Sequence, residues 1–196
     1  MIAIVDYRAG NLVSVKKAVD RLGFRCAITS DPAAVGRAEK VIVPGVGHFA
    51  ATSTLADTGL RGAIAGAIDR QTPFFGICVG MQWMFDSSEE APGTVGLGVF
   101  RGCCTHFPPE VKSPHVGWNQ LEVEGGSRLL RGVPSGLFVY FTHSYRAPLV
   151  ASTVARCDYG GTFSAAVECG HLFGVQFHPE KSGEVGLTIL ENFCRL

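Results

Sequence analysis

The sequence predicts an α/β layered fold: a central, mostly parallel sheet flanked by helices, followed by a more β-rich second half. Three observations lead there. Between Met1 and Cys78, short apolar runs alternate with amphipathic segments at the spacing of strand–helix repeats. Beyond Glu90 the texture changes to glycine-rich turns separated by short β-like runs. The 196 residues hold no linker, internal repeat or low-complexity tract, and their length suits one domain over 1–196 with a sizeable core.

Ile2 to Val5 reads as a buried strand with Asp6-Tyr7-Arg8-Ala9-Gly10 as its exit loop. Asn11 is placed to cap a helix whose Leu12, Val15, Val19 and Leu22 share one face, and Gly23 ends it. Arg25 to Ile28 is a second strand, Ser30-Asp31-Pro32 a helix start, and Lys40 to Val43 a third strand. Leu60, Ile64, Ala67 and Ile68 mark another amphipathic helix. Pro73 opens the apolar run Phe74 to Ile77, a fully buried strand, and Val79 to Asp86 fits helical spacing. In the second half, strands are expected at Val99-Phe100, Cys104 to Phe107, Leu121 to Val123, Leu137 to Phe141, Thr153 to Cys157, Ser164 to Cys169 and Leu172 to Phe177. Tyr159-Gly160-Gly161 and Gly170-His171 read as turns. Glu184 to Phe193 closes the chain as a helix with Leu187, Leu190 and Phe193 facing the core.

Composition excludes several classes. Formal net charge is zero with no basic run, so nucleic acid and anionic membranes are not expected partners. The first apolar run stops at Asp6, too short for a signal sequence or a membrane span. Seven cysteines without a Cys-x-x-Cys pair argue against a disulfide framework or a structural zinc site; neither metal nor cofactor is expected. Cys26, Cys103, Cys104, Cys157, Cys169 and Cys194 read as reduced thiols of a cytoplasmic protein. Charged residues make up only 17%, which fits a chain that covers part of its surface with a partner.

Cys78 lies between Gly76 and Gly80 where a strand turns into a helix. Small neighbours are required there because a Cβ would meet the adjoining backbone, and the result is an elbow with sulfur in place of a serine oxygen. Free N–H groups and the macrodipole at a helix start favour thiolate. The plainer alternative is a buried cysteine between two glycines. Downstream, His178 and Glu180 follow the run Val175 to Phe177, and in extended chain residues two apart emerge on one side. Alone, His-Pro-Glu is a solvated strand end; with the elbow it completes a nucleophile, a base and an orienting acid.

Gly76-Ile77-Cys78-Val79-Gly80-Met81-Gln82 and His178-Pro179-Glu180-Lys181-Ser182 together resemble the class I glutamine amidotransferases. Ser88-Glu89-Glu90-Ala91-Pro92-Gly93 and Pro114-His115-Val116-Gly117-Trp118-Asn119 narrow the resemblance to the glutaminase subunits of imidazole glycerol phosphate synthases, from histidine biosynthesis. It runs from Met1 to Leu196. It implies a Cys78-His178-Glu180 triad that hydrolyses glutamine to glutamate and ammonia. The ammonia would pass to a cyclase subunit, a (β/α)8 barrel, in a heterodimer that makes imidazole glycerol phosphate and an aminoimidazole carboxamide ribotide.

Further roles follow from the resemblance. Pro44-Gly45-Val46-Gly47-His48-Phe49, locally a glycine-rich turn, would be the oxyanion loop, with backbone donors at Val46 and Val79. Gly45, Gly47, Gln82, Glu90, Ser144 and Tyr145 would border the glutamine, and Glu90 would pair with its α-ammonium. Asn11, Trp118, Tyr140 and Lys181 would face the partner. Trp118, core by ordinary expectation, is read as a loop anchor at that interface. His48 is read as structural, and His143 is open between a polar strand end and the substrate pocket. Rival readings are a different amidotransferase subunit, such as one that feeds pyridoxal phosphate synthesis, a paralogue that feeds a surface-sugar pathway, or a catalytically dead binding subunit. The intact triad and the two flanking strings speak against the first and last of these.

Overall fold

A computed structural model describes residues 1–196. Its main sheet has eight strands in the order β2-β1-β3-β4-β13-β12-β11-β8. The first five are β2 (Cys26–Thr29), β1 (Ile2–Val5), β3 (Lys40–Gly45), β4 (Phe74–Cys78) and β13 (Leu172–Val175), and they run parallel. The remaining three, β12 (Thr162–Cys169), β11 (Thr153–Asp158) and β8 (Glu122–Val123), are antiparallel. β1 and β4 are buried at every position, which is why they read as unbroken apolar runs rather than alternation.

Helices cover the sheet as strand order and handedness require. The helix α1 (Leu12–Arg21) links β1 to β2 in one direction across the sheet. α2 (Pro32–Gly36), and α4 (Leu60–Asp69) after the short α3 (Ser53–Asp57), link strands in the other direction. Right-handed crossovers therefore put α1 on one face and α2 with α4 on the opposite one. The contacts agree: α2 packs on α4, while α1 packs on α6 (Gly183–Arg195). Phe193 of α6 seats on Phe75 of β4 and Phe173 of β13 at ring separations of 5.0 and 6.0 Å, bracing the strands that carry the site.

The second half supplies the β-rich part. β5 (Phe85–Ser88), β6 (Phe100–His106) and β10 (Tyr145–Arg146) form one small sheet. β7 (His115–Gln120) and β9 (Phe138–His143) form a two-stranded antiparallel ribbon. α5 is a single turn, Val79–Gln82. No helix is long and apolar enough to cross a membrane, and all seven cysteines are free thiols.

Four expectations change. The helix expected from Val79 to Asp86 ends at Gln82, and Phe85–Ser88 is β5, because it pairs with β6 in parallel register. Pro114 to Asn119, read as loop, is mostly strand β7, since pairing with β9 outweighs the break that a proline and a glycine suggest. Asn11 stands at the α1 start with φ −89 and ψ 58, and its side chain makes no capping bond. The real side-chain cap is Asp31, which accepts from the N–H groups of Ala33 and Ala34 ahead of α2. Finally, β13 stops at Val175, and Pro179–Lys181 is a 3₁₀ turn, so His178 and Glu180 are not two residues of one extended strand.

Candidate active site

Three adjacent strands end together at the carboxyl edge of the sheet, where parallel sheets form sites. β4 is central, with Gly45 of β3 paired to Cys78 and Val175 of β13 paired to Ile77. The chain leaving β4 thus carries the thiol, that leaving β3 carries the glycine loop, and that leaving β13 carries the histidine.

Cys78 is buried, 2% exposed, with φ 54 and ψ −110. A non-glycine residue holds such angles only where its surroundings over-determine them. Here the glycines do so. A Cβ on Gly76 would lie 2.5 Å from the Gly80 carbonyl oxygen, and one on Gly80 would collide with the Val43 carbonyl. A Cβ on Gly45 would stand 2.6 Å from the Tyr7 hydroxyl and 2.7 Å from the Val79 side chain. The helix after the elbow is one turn, so its macrodipole is small. What remains at the elbow is the start of that single turn, with Cys78 as its N-cap residue and Val79 as its first residue.

His178 is 1% exposed, and its Nδ1 lies 2.9 Å from Oε1 of Glu180. The 3₁₀ turn brings the carboxylate back under the ring, which achieves what extended chain was expected to do. Because Nδ1–H donates to the carboxylate, Nε2 is left as the working nitrogen, and it bonds to no protein group. Burial pulls the imidazolium pKa down, but the negative charge of Cys78 and the Glu180 carboxylate more than offset this, lifting it to about 10. The loop is clamped to β9: the His178 N–H donates to Tyr140 O, the Tyr140 N–H to Ser182 Oγ, and that hydroxyl to His178 O.

Beside Cys78 is a cleft of about 40 Å³, room for a few waters. Its wall includes Gly47, Val79, Gln82, Glu90, Ser144 and Tyr145, so the structure brings these expected residues together around the thiol. Gly45 and Val46 are not part of that wall. Gln82 is buried and spends both amide hydrogens, on Tyr145 O at 2.8 Å and on Gln176 Oε1 at 3.0 Å. Only its oxygen remains to meet a ligand, and an ammonium needs acceptors. Glu90 accepts the Phe49 N–H through Oε2, tying the glycine loop to the cleft rim.

Trp118 is 55% exposed on the outer face of the ribbon, and its ring meets Tyr140 edge-on at 6.0 Å. Lys181 holds its ammonium 5.7 Å over the Tyr140 ring. Asn11 reaches the same end of the sheet, because the loop before it packs against Pro44 and α1 touches the Pro179–Lys181 turn. His48 accepts the Ala50 N–H and starts a 3₁₀ turn, as a structural residue does. His143 is buried and lines the cleft.

Two neighbours of Cys78 were not foreseen. Gln176, fully buried, donates to Sγ at 3.6 Å; its signal was a polar residue inside the apolar run Leu172 to Phe177. Tyr7 hides its hydroxyl under Gly45 without a protein partner, and burial first and the Cys78 charge second push its pKa up. Nothing in Asp6-Tyr7-Arg8 distinguished it from an exit loop.

The family model for class I glutamine amidotransferases matches residues 3–196. The chain belongs to the class I glutamine amidotransferase family. Relatives of this amidotransferase agree along its whole length. Proteins described as imidazole glycerol phosphate synthase subunit HisH are 45% identical in Moorella thermoacetica, covering 100% of this chain and 94% of that one. The Thermococcus kodakarensis protein so described is 46% identical, with both chains covered completely. In three dimensions, a crystal structure of a glutamine amidotransferase superposes with a TM-score of 0.78 at 19% identity, covering 100% of both chains. PurLQS from Thermotoga maritima gives 0.77 at 21% identity, covering 99% of this chain and 97% of that one. These two show the fold, a class I amidotransferase layered α/β fold, and the chain is an enzyme of this family.

Proposed function

We propose that the amidotransferase is the glutaminase subunit of an imidazole glycerol phosphate synthase of histidine biosynthesis, working in the cytoplasm. The observation that carries this is Cys78, held at a strained elbow one strand away from the bonded His178–Glu180 pair. Sγ attacks the γ-carboxamide carbon of glutamine, and the oxyanion is received by the N–H groups of Val46 and Val79. His178 gives its Nε2 proton to the departing ammonia, then takes one from the water that opens the thioester, which releases glutamate. Glu180 holds the ring and balances its charge. The spare oxygen of Gln82 and the Glu90 carboxylate suit the α-ammonium, while Gly47, Ser144 and Tyr145 frame the substrate, with Gly45 beside Cys78 at the end of β3.

Ammonia needs an acceptor outside this chain. The relatives are described as subunits, and the ribbon offers Val116, Trp118 and Phe138, each more than half exposed. A cyclase subunit built as a (β/α)8 barrel would cover that face, contacting Asn11, Trp118, Tyr140 and Lys181. It would use the ammonia to form imidazole glycerol phosphate and the aminoimidazole ribotide. The cleft is too small for glutamine as it stands, and Val46 is not on its wall. Gly47, at φ +101 with open space around it, lets the loop peptide rotate toward the oxyanion. Losing one such donor costs about 10²–10³ in rate, so a loop turned only in the complex would keep the free chain slow.

The test is glutamine hydrolysis by the chain alone and with the cyclase subunit and its ligand, alongside synthesis driven by free ammonia. Expected are low hydrolysis alone, strong stimulation in the complex, and loss of glutamine-driven but not ammonia-driven synthesis in Cys78→Ala. Glutamine turnover retained by Cys78→Ala would defeat the reading.

A further inference from the structure

The inner face of the β7–β9 ribbon carries polar groups that the glutaminase chemistry leaves unused. His115 and His143 are buried, 4% and 6% exposed, inside an aromatic box. The His115 ring lies between Tyr159 at 4.0 Å and Phe141 at 4.9 Å, stacked on both. His143 packs against Phe107 and Phe163 at 5.0 and 5.4 Å. Burial lowers the pKa of both rings, to about 4 for His115 and about 3 for His143, so each is neutral with one N–H and one bare nitrogen.

Neutral rings fix the direction of every hydrogen bond here. Nδ1 of His143 lies 2.8 Å from the Tyr145 carbonyl, which can only accept, so the proton is on Nδ1 and Nε2 is bare. That bare Nε2 lies 3.2 Å from Nδ1 of His115, which must donate, leaving His115 Nε2 bare in turn. Nδ2 of Asn119 meets it at 3.4 Å and also donates to Asp158 O, while Asn119 Oδ1 accepts the Gln120 N–H. From Tyr145 O the path continues inward. Gln82 donates to that same oxygen and to Gln176, and Gln176 donates to Sγ of Cys78 at 3.6 Å. One unbroken run of hydrogen bonds, passing through the Tyr145 carbonyl and each with its polarity forced, joins Cys78 to a strand whose outer face presents Trp118.

We propose that this run is a coupling device that keeps Cys78 and the glutamine pocket in register with β7, so that His115 and Gln176 are positioning residues through which docking on the ribbon reaches the thiol. This rests on the reading of the ribbon as the partner face. Residues alternate along β7, so a shift that seats Val116 and Trp118 on a partner moves His115 and Asn119 behind them. Hydrogen bonds in a dry, aromatic surrounding have few alternatives, and the shift passes to Tyr145 O, whose other donor is Gln82.

The test combines spectroscopy and kinetics on the full chain and its complex with the cyclase subunit. Nitrogen NMR of histidine-labelled parent protein at neutral pH should find His115 and His143 neutral with the proton on Nδ1, the minor form of free imidazole. A proton on Nε2, or an imidazolium, at either residue overturns the inference. His115→Phe keeps the stack between Tyr159 and Phe141 but donates nothing to His143. Partner stimulation of glutamine turnover should fall about tenfold, while association and ammonia-driven synthesis hold. His115→Asn, with a donor near the Nδ1 position, should recover most of that stimulation. Unchanged stimulation in His115→Phe, or equal loss in both variants, overturns the proposal. If His115→Phe does not fold, the tautomer measurement on the parent decides. A parent complex with no glutamine turnover would defeat the proposed function instead.

Discussion

The carboxyl end of β4 and the β7–β9 ribbon solve opposite problems. Around Cys78 little room is left beyond the small cleft: the thiol is 2% exposed, His178 is 1%, and backbone atoms fill the space where Gly76 and Gly80 would carry side chains. The ribbon is as closely packed on its inner face, yet its outer face leaves Val116, Trp118 and Phe138 at 56%, 55% and 51% exposure. The proposed nucleophile needs surroundings that cannot relax, whereas the apolar ribbon face suits the proposed partner. The contrast teaches where each kind of substitution should hurt: chemistry and stability fail together at the elbow and separate on the ribbon.

The largest effect belongs to the proposed triad. Cys78→Ala and His178→Ala should each lower glutamine turnover in the complex by more than about 10⁴-fold, because residues that act as one unit fail as one. Glu180→Gln, which leaves the imidazole in place, should be milder, and steady-state kinetics of the three variants would show the order. A Glu180→Gln loss exceeding that of His178→Ala would mean the roles are misassigned.

Next comes the elbow's lack of room. Gly80→Ala drives a methyl into the Val43 carbonyl and should cost about 3 kcal/mol in denaturant unfolding. Gly47→Ala meets open space and carries only the strain of φ +101, about 1 kcal/mol. Equal costs would show that the glycines serve conformation alone and not close approach.

On the ribbon the pattern reverses. Trp118→Ala should weaken partner binding by about 2 kcal/mol, roughly thirtyfold in Kd, as loss of an anchor does. The unfolding free energy of the isolated chain should move by less than about 0.5 kcal/mol. A destabilised chain with unaltered binding would make Trp118 a core residue after all.

The smallest effect is a slope with pH. The folded-state pKa of His178 is raised to about 10 from 6.5, chiefly by the Cys78 charge acting against burial. The stability this supplies is fully present below pH 6.5 and is lost as pH rises through about 10. Unfolding measured at pH 7 and pH 10 should therefore show a steeper alkaline loss in the parent than in Cys78→Ser. Identical slopes would indicate that no charge on Cys78 acts on the imidazole.

The elbow was legible only in company: Gly-x-Cys-x-Gly alone fits a buried cysteine between two glycines, and the His178-Pro179-Glu180 string downstream decided the reading. The parallel half was legible by itself, since strands buried on both faces leave continuous apolar runs. The ribbon was not, because β7 exists only by pairing with β9, some twenty residues on in sequence, and Pro114 with Gly117 argues locally against a strand. The bond between His178 and Glu180 was anticipated while its cause was not, as a 3₁₀ turn and an extended strand look alike in three residues. His115 and Tyr7 acquire meaning only from what the fold sets beside them, and Gln176 showed in the sequence only as a polar residue inside an apolar run.

The central claim is that Cys78 alone among seven thiols is held as an activated nucleophile facing His178. An electrophilic glutamine analogue, added to the complex and followed by peptide mass spectrometry, tests it most directly. The account predicts one adduct per chain, on Cys78, forming well before any other and collapsing in His178→Ala. Adducts spread equally over Cys103 or Cys104, or an unmodified Cys78 in a complex that still turns over glutamine, would contradict it.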